Sequence, residues 1–225
     1  AGDGTSSLSL VWVEGHYHGT LLWEHVTYTF NGLGPELRLS EAGPSLPCGG
    51  CKVSSSLPPD PRRAGQVART WRTGDANLID LLVVYPDEVL NEAGGESALS
   101  AAILGAVADA NLCYRNSGLD LRLRLVHHAE TNYDPSGVLN TDLERIKETA
   151  DGYMDEVHSL RDLYGADLVA LLTTPSDTGG LANTMSSPSL NFEDSGFSVS
   201  VWDQIGAPSY TCLLYTSPSP RDLRL

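Results

Sequence analysis

Hydrophobic and polar positions follow two different rhythms along this chain, and the change of rhythm divides it. Ser7-Leu8-Ser9-Leu10-Val11-Trp12-Val13 and the run from Thr20 to Phe30 are rich in β-branched and aromatic residues. Within the second run Val26, Tyr28 and Phe30 alternate with Thr27 and Thr29, the two-residue period of a half-buried strand. Turn signals stand at Glu14-Gly15, Asn31-Gly32 and Gly34-Pro35. Residues 1–42 are therefore expected to form a small antiparallel β unit.

Periodicity then stops. Pro44, Pro47, Pro58, Pro59 and Pro61, the serines from Ser54 to Ser56, and Arg62-Arg63 give residues 43–77 the composition of a linker between domains. Arg62-Arg63 reads as a solvated basic pair or, in an exposed linker, as a protease site.

From Leu78 the rhythm becomes strand, helix, strand. Ile79 to Tyr85 is an apolar run of strand length ended by Pro86. Ser97 to Asn116 has helical spacing at Leu99, Ile103, Ala106, Val107 and Ala110, with Gly118 just past its end. Leu119 to Leu125 alternates as a second strand. Thr141-Asp142-Leu143-Glu144 has the form of a capping box opening a short helix. Met154, Val157, Leu160, Arg161 and Tyr164 make a helical face closed by Gly165. Asp167 to Leu172 reads as a buried strand. Phe197 to Trp202, after a Ser/Asn/Gly-rich loop, reads as a short strand suited to a sheet edge. This order predicts an α/β fold with right-handed crossovers and a largely parallel sheet.

Composition narrows the functional classes. Of 225 residues, 41% are hydrophobic, enough for a packed core. The net charge is −15, which argues against nucleic acid as a partner and against binding to anionic membrane surfaces. No run of about 18 apolar residues occurs, so no membrane span is expected. The chain begins at Ala1 with no charged and apolar leader, so its start carries no information on export.

Most familiar chemistries lack their residues. No phosphate-binding G-x-x-x-x-G-K-[ST], no G-x-S-x-G nucleophile elbow and no H-E-x-x-H occurs. Gly32-Leu33-Gly34-Pro35 lacks the third glycine and the helix of a dinucleotide site. Cys48 and Cys51 form a lone C-x-x-C among Gly, Pro and Ser, read as a local disulfide or two idle thiols. Cys113 reads as a buried small hydrophobe. His16 and His18 could share a strand face and hold a metal with His25, but ordinary surface histidines are the simpler reading. His127 and His128 are strand neighbours and point to opposite faces. His158 accompanies Asp155, Glu156 and Asp162 on a solvated helix face.

The last residues have a different character. Cys212 to Asp222 resembles, residue for residue, the translation of a transposase-type sequencing-library adapter. Residues 212–225 are expected not to be native and are excluded from the fold.

The second half resembles the bacterial reprolysin-like zinc metallopeptidases, a branch of the metzincins. The blocks that carry the likeness are Ile79-Asp-Leu-Leu-Val-Val-Tyr-Pro86, Ala110-Asn111 with Asn116-Ser-Gly-Leu119, and Leu121-Arg-Leu-Arg-Leu-Val-His127. Asp151-Gly-Tyr-Met-Asp-Glu-Val-His-Ser-Leu-Arg161 and Tyr164-Gly-Ala-Asp-Leu-Val169 extend it over residues 78–211. The resemblance implies a metzincin-like α/β fold with a mixed, mostly parallel sheet and helices. It makes residues 1–42 a propeptide unit and 78–211 the front of a catalytic domain that is incomplete at its C-terminus.

In such proteins the strand corresponding to Phe197 to Trp202 leads through a short loop, resembled by Gly206 to Thr211, into a helix bearing H-E-x-x-H-x-x-G-x-x-H. The resemblance implies a Zn²⁺ held by three histidines, with the glutamate as general base. None of these groups is in this sequence. Zn²⁺ is therefore expected in the full-length parent and not here, and no catalytic or metal-ligating residue is assigned. The parent is expected to be a secreted endopeptidase acting on peptide or protein substrates, and the chain itself inactive and poorly stable. The resemblance further implies that an edge strand made of Phe197, Ser198, Val199, Ser200, Val201 and Trp202 pairs with the substrate backbone. Cys48 could serve as a thiol that silences a zymogen. Thr178-Gly-Gly-Leu181 departs from the Cys-Gly pair of relatives and puts the usual disulfide there in question. A non-catalytic peptide-binding or adhesion module, or a general α/β ligand-binding domain, remains open beside the peptidase reading.

Overall fold

The structure is a computed structural model that describes residues 7–23, 26–41, 51–54, 78–116, 118–174, 178–185 and 190–205. Two sheets and a set of helices stack in layers. The first sheet is antiparallel and runs in chain order through β1 (Ser7–Val13), β2 (His16–Trp23), β3 (Val26–Leu33) and β4 (Glu36–Glu41). Its turns fall at Glu14-Gly15 and Gly34-Pro35, as expected, while Asn31-Gly32 lies inside β3.

The second sheet has the order β5-β9-β10-β8-β6-β7, with β5 (Cys51–Ser54), β6 (Leu78–Tyr85), β7 (Arg122–Glu130), β8 (Leu168–Thr173), β9 (Gly180–Met185) and β10 (Phe197–Val201). β7, β6, β8 and β10 are mutually parallel, and β9 runs antiparallel to β10. The mixed, mostly parallel sheet with helices, preceded by an antiparallel one, is the architecture expected from the strand–helix rhythm.

Residues of β6 alternate between two cores. Ile79, Leu81, Val83 and Tyr85 meet helix α2 (Glu96–Asn116), together with Val89 of the short helix α1 (Asp87–Glu92). Leu82 and Val84 face the other way, toward Leu139, Leu143 and Ile146 of α3 (Leu139–Lys147) and Val157 of α4 (Asp155–Tyr164). A strand buried on both faces reads as a continuous apolar run, which is how Ile79 to Tyr85 appears.

Helix α2 is apolar on nearly every side because it lies between the two sheets. Its segment Glu96–Arg115 is long and apolar enough to cross a membrane by length and composition. Core helices pass that test too, and here Leu99, Ile103, Ala106 and Ala110 are buried in the protein. Asn111 fastens it to β7: its amide donates to the Leu123 carbonyl at 2.9 Å and accepts from the Leu123 N–H at 2.7 Å.

The base of the sheet is tied by polar groups. Arg124 makes a two-pronged contact with buried Asp80 at 2.7 and 2.8 Å, and the Asp80 N–H donates to the Asp167 carboxylate at 2.8 Å. Arg161 is buried over the Phe197 ring and donates to the Asp167 carbonyl at 2.9 Å. Gly165 ends α4 in the left-handed region, with φ of 66°, as its place after Tyr164 predicts.

Several expectations are corrected. The linker 43–77 contains a strand, β5, which joins the second sheet. The capping box at Thr141 does not form, since α3 begins earlier, at Leu139. Asp142 is drawn inward instead, where it accepts from the Tyr133 hydroxyl and the Ser136 N–H. Cys113 is exposed, because the neighbouring Tyr114 takes the buried position on that turn of the helix.

Candidate functional site

The strand expected at the edge is not at the edge. β10 pairs with β8 from Phe197↔Val169 to Val201↔Thr173, and on its other side with β9 at Ser198↔Ala182, Val199↔Leu181 and Ser200↔Gly180. Phe197, Ser198, Val199, Ser200 and Val201 are all buried. From Ser198 to Val201 the backbone is engaged by protein neighbours on both sides and cannot also pair with a peptide. Trp202 lies past the strand in a 3₁₀ turn, where its indole N–H donates to Glu92 at 2.7 Å.

Beyond β10 the sheet continues through β9 to β5. The chain between β8 and β10 folds back as its own strand, with the Val201 N–H donating to the Gly179 carbonyl at 2.9 Å where that strand begins. Nothing in Gly180-Leu-Ala-Asn-Thr-Met185 alternates, so the loop composition hid it. A signal was present in Leu181 and Ala182, whose buried side chains anchor β9 to the core.

The outer side of β9 is already paired. β5 lies along it in parallel register, Cys51↔Ala182, Lys52↔Asn183, Val53↔Thr184 and Ser54↔Met185. An extended segment from the front of the chain thus adds a strand to the sheet, the geometry by which extended peptides bind exposed sheet edges. Cys48, three residues before β5, lies outside the described residues, as do Gly206 to Thr211 and the tail 212–225.

The histidines do not converge. Among the described residues no group of three or more His, Cys, Asp or Glu could hold a metal ion. His25 lies outside the described residues. His18 is not a surface histidine: its ring packs against Gly105 of α2, and Nδ1 donates to Asn31 Oδ1 at 3.0 Å. Burial holds its pKa below the usual histidine value, against the upward pull of Asn31 and Asp109. His127 and His128 serve opposite faces, as expected. His127 stacks on Tyr164 at 4.0 Å, and His128 shares a 3.1 Å hydrogen bond with the Tyr85 hydroxyl. Burial, then His127, pushes the His128 pKa down. His158 leans on Phe197 at 5.3 Å and bonds the Glu148 carbonyl at 3.1 Å, so it is a structural contact as much as a solvated group. The described residues therefore do not fit a zinc centre.

Comparison with known proteins decides the lineage. The profile of metallo-peptidase family M12 (Reprolysin_5) matches residues 75–216, well over half of the chain. The chain belongs to this family. Among relatives of the family, the peptidyl-Asp metalloendopeptidase of Stenotrophomonas maltophilia (strain K279a) is 35% identical over 131 residues, covering 58% of this chain and 30% of the relative. That of Xanthomonas campestris pv. campestris is 35% identical over 115 residues, covering 51% of this chain and 27% of its own length. The chain thus spans less than a third of these relatives. The crystal structure of metalloproteinase-II from Bacteroides fragilis superposes with a TM-score of 0.52 at 12% identity, covering 97% of this chain and 75% of the other. That likeness supports the fold alone.

Proposed function

We propose that the parent protein is a secreted, zinc-dependent endopeptidase, and that this chain is its prosegment followed by the front of its catalytic domain. The observation that carries the reading is β5 on the β9 edge, with the family match beneath it. β9 runs antiparallel to β10, and its other side is occupied by an extended segment of the chain's own front portion. On this reading β5 lies where the backbone of a peptide substrate would lie, and the protein as drawn is a latent form.

What these residues do is therefore binding. The β9 backbone offers N–H and C=O groups to an extended peptide, while Leu181 and Ala182 hold β9 in place from below. No chemical step is assigned to any residue present here, because the metal-binding residues of the family are not among them. The name shared by the relatives supplies a substrate class: peptides with an aspartate at the scissile bond.

The test is to sequence the source DNA downstream of the Thr211 codon and to express the protein it encodes. The reading predicts H-E-x-x-H-x-x-G-x-x-H within the next few codons. It also predicts hydrolysis of an Asp-containing peptide, with the matching Asn peptide cut far more slowly. An in-frame continuation without that motif would leave a non-catalytic peptide-binding module. A native gene that encodes the residues 212–225 found here would overturn the view that the chain is interrupted at Thr211.

A further inference from the structure

Two surfaces hold the front of the chain on the catalytic sheet, and they differ in kind. One is the four-residue ladder of β5 on β9. The other lies on the far side of the molecule, where the first sheet rests on α2. The residues β1, β2 and β3 turn toward α2 are mostly polar, and Ser9, His18, Thr20 and Asn31 share that face by register. From the helix, Asp109 accepts the Thr20 hydroxyl at 2.9 Å on each carboxylate oxygen, and nearby Glu14 accepts the Ser97 hydroxyl at 2.6 Å.

His18 is the centre of the seam. Gly105 is the one glycine within α2, at a position where glycine costs a helix about 1 kcal/mol relative to alanine. Space explains it: a Cβ at residue 105 would stand 2.3 Å from His18 Cδ2. The ring is seated in the notch that the missing side chain leaves. Its Nδ1–H donates to Asn31, which leaves Nε2 bare in the neutral ring, and Nε2 is sealed from solvent without a hydrogen-bond partner. A proton added at Nε2 would find no acceptor there, and a buried unpaired donor is costly.

We propose that the first sheet is a pH-released anchor: it docks on α2 only while His18 is neutral, and its docking is what keeps β5 on the β9 edge. A parallel ladder of four residues is a weak attachment by itself. Tethering by a docked sheet raises the local concentration of β5 at β9, so undocking at α2 loosens β5 on the opposite side of the sheet.

The sign follows from linkage. Burial lowers the His18 pKa from its ordinary 6.5, so the docked state binds fewer protons than the undocked one. Docking is complete above that value and weakens as the pH falls below it. Asp109 from α2 and Asn31 from β3 act on His18, and by register Arg38 of β4 and His16 of β2 share its sheet face. Asp109 acts in the opposite sense, since burial raises its pKa from 3.8 and its ionisation opposes docking at higher pH. Ser9, Thr20 and His18 reduce that effect.

Hydrogen exchange on the full chain tests the anchor, and because it does not read hydrolysis it stands apart from the peptidase reading. After correction for intrinsic rates, amides of β1, β2 and β9 should lose protection together between about pH 7.5 and about pH 5.5, by roughly tenfold, while β6 and β8 hold theirs. His18→Gln, which cannot take a proton, should remove the pH response. Gly105→Ala should undock the sheet at both pH values. Should Gly105→Ala also lower protection in β6 and β8, the comparison of His18→Gln with the unaltered chain decides. Protection of β1 and β2 that does not change with pH overturns the proposal. So does a pH response that survives in His18→Gln, or a β9 edge that stays protected after the first sheet undocks.

Discussion

The two sheets of this protein bury their hydrophobic residues to very different degrees. In the second sheet β8 and β10 are buried along their whole length, and β6 along all but its first residue. In the first, the face toward α2 carries Ser9, His18 and Thr20 beside half-buried Val11, Val13 and Leu22, while Leu8, Trp12 and Trp23 are 61%, 63% and 53% exposed on the other. The second sheet makes its own core with the helices on either side. Among the described residues the first sheet contributes no fully buried hydrophobic side chain, and it rests on α2 through a largely polar seam. One region is built around two cores, and the other rests on α2 through a largely polar face.

Substitutions on the two sheets should separate in that order. Leu171→Ala, in a fully buried strand, should cost about 3 kcal/mol by denaturant unfolding, because the cavity cannot collapse between two packed layers. A loss of under about 1 kcal/mol would mean that this sheet is less tightly packed than described. Asn111→Ala removes both links between α2 and Leu123 and strands a backbone N–H and C=O; about 2 kcal/mol is expected in the same measurement. Thr20→Val deletes the bond to Asp109 and should cost about 1 kcal/mol of docking. That cost should appear in exchange at β1 and β2 and leave the unfolding of the second sheet unchanged. Trp12→Ser should change stability by less than about 0.5 kcal/mol and reduce self-association in light scattering, since it removes only exposed apolar surface.

The same contrast explains what the amino-acid sequence reveals. Ile79 to Tyr85, the α2 segment and the α4 face closed by Gly165 carry strong local signals, because each buries its own periodic face. The blocks around Asn111, Arg161 and Asp167 also point to the family, and each of these residues turns out to fasten one element to another. β5 and β9 are different. Cys51-Lys-Val-Ser54 and Gly180-Leu-Ala-Asn-Thr-Met185 have no strand rhythm, and they are strands because a neighbour pairs with them. Phe197 to Trp202 reads as the edge for that reason: with β9 unseen, β10 is the last strand. The seam on α2 left one trace, the lone Gly105 in an otherwise alanine-rich helix, and only the ring of His18 gives it meaning.

The occupied β9 edge is the centre of the account, and it can be tested directly in the full-length parent. Replacing Lys52 and Val53 together by proline removes two of the four backbone N–H groups of β5 without touching β9. The rate of hydrolysis of an Asp-containing peptide by the unprocessed protein is then compared with that of the unaltered one. The account predicts a rise of about tenfold or more, because β5 no longer competes for the edge. An unprocessed double variant that stays as silent as its parent, while the processed enzyme cuts the same peptide, would contradict it.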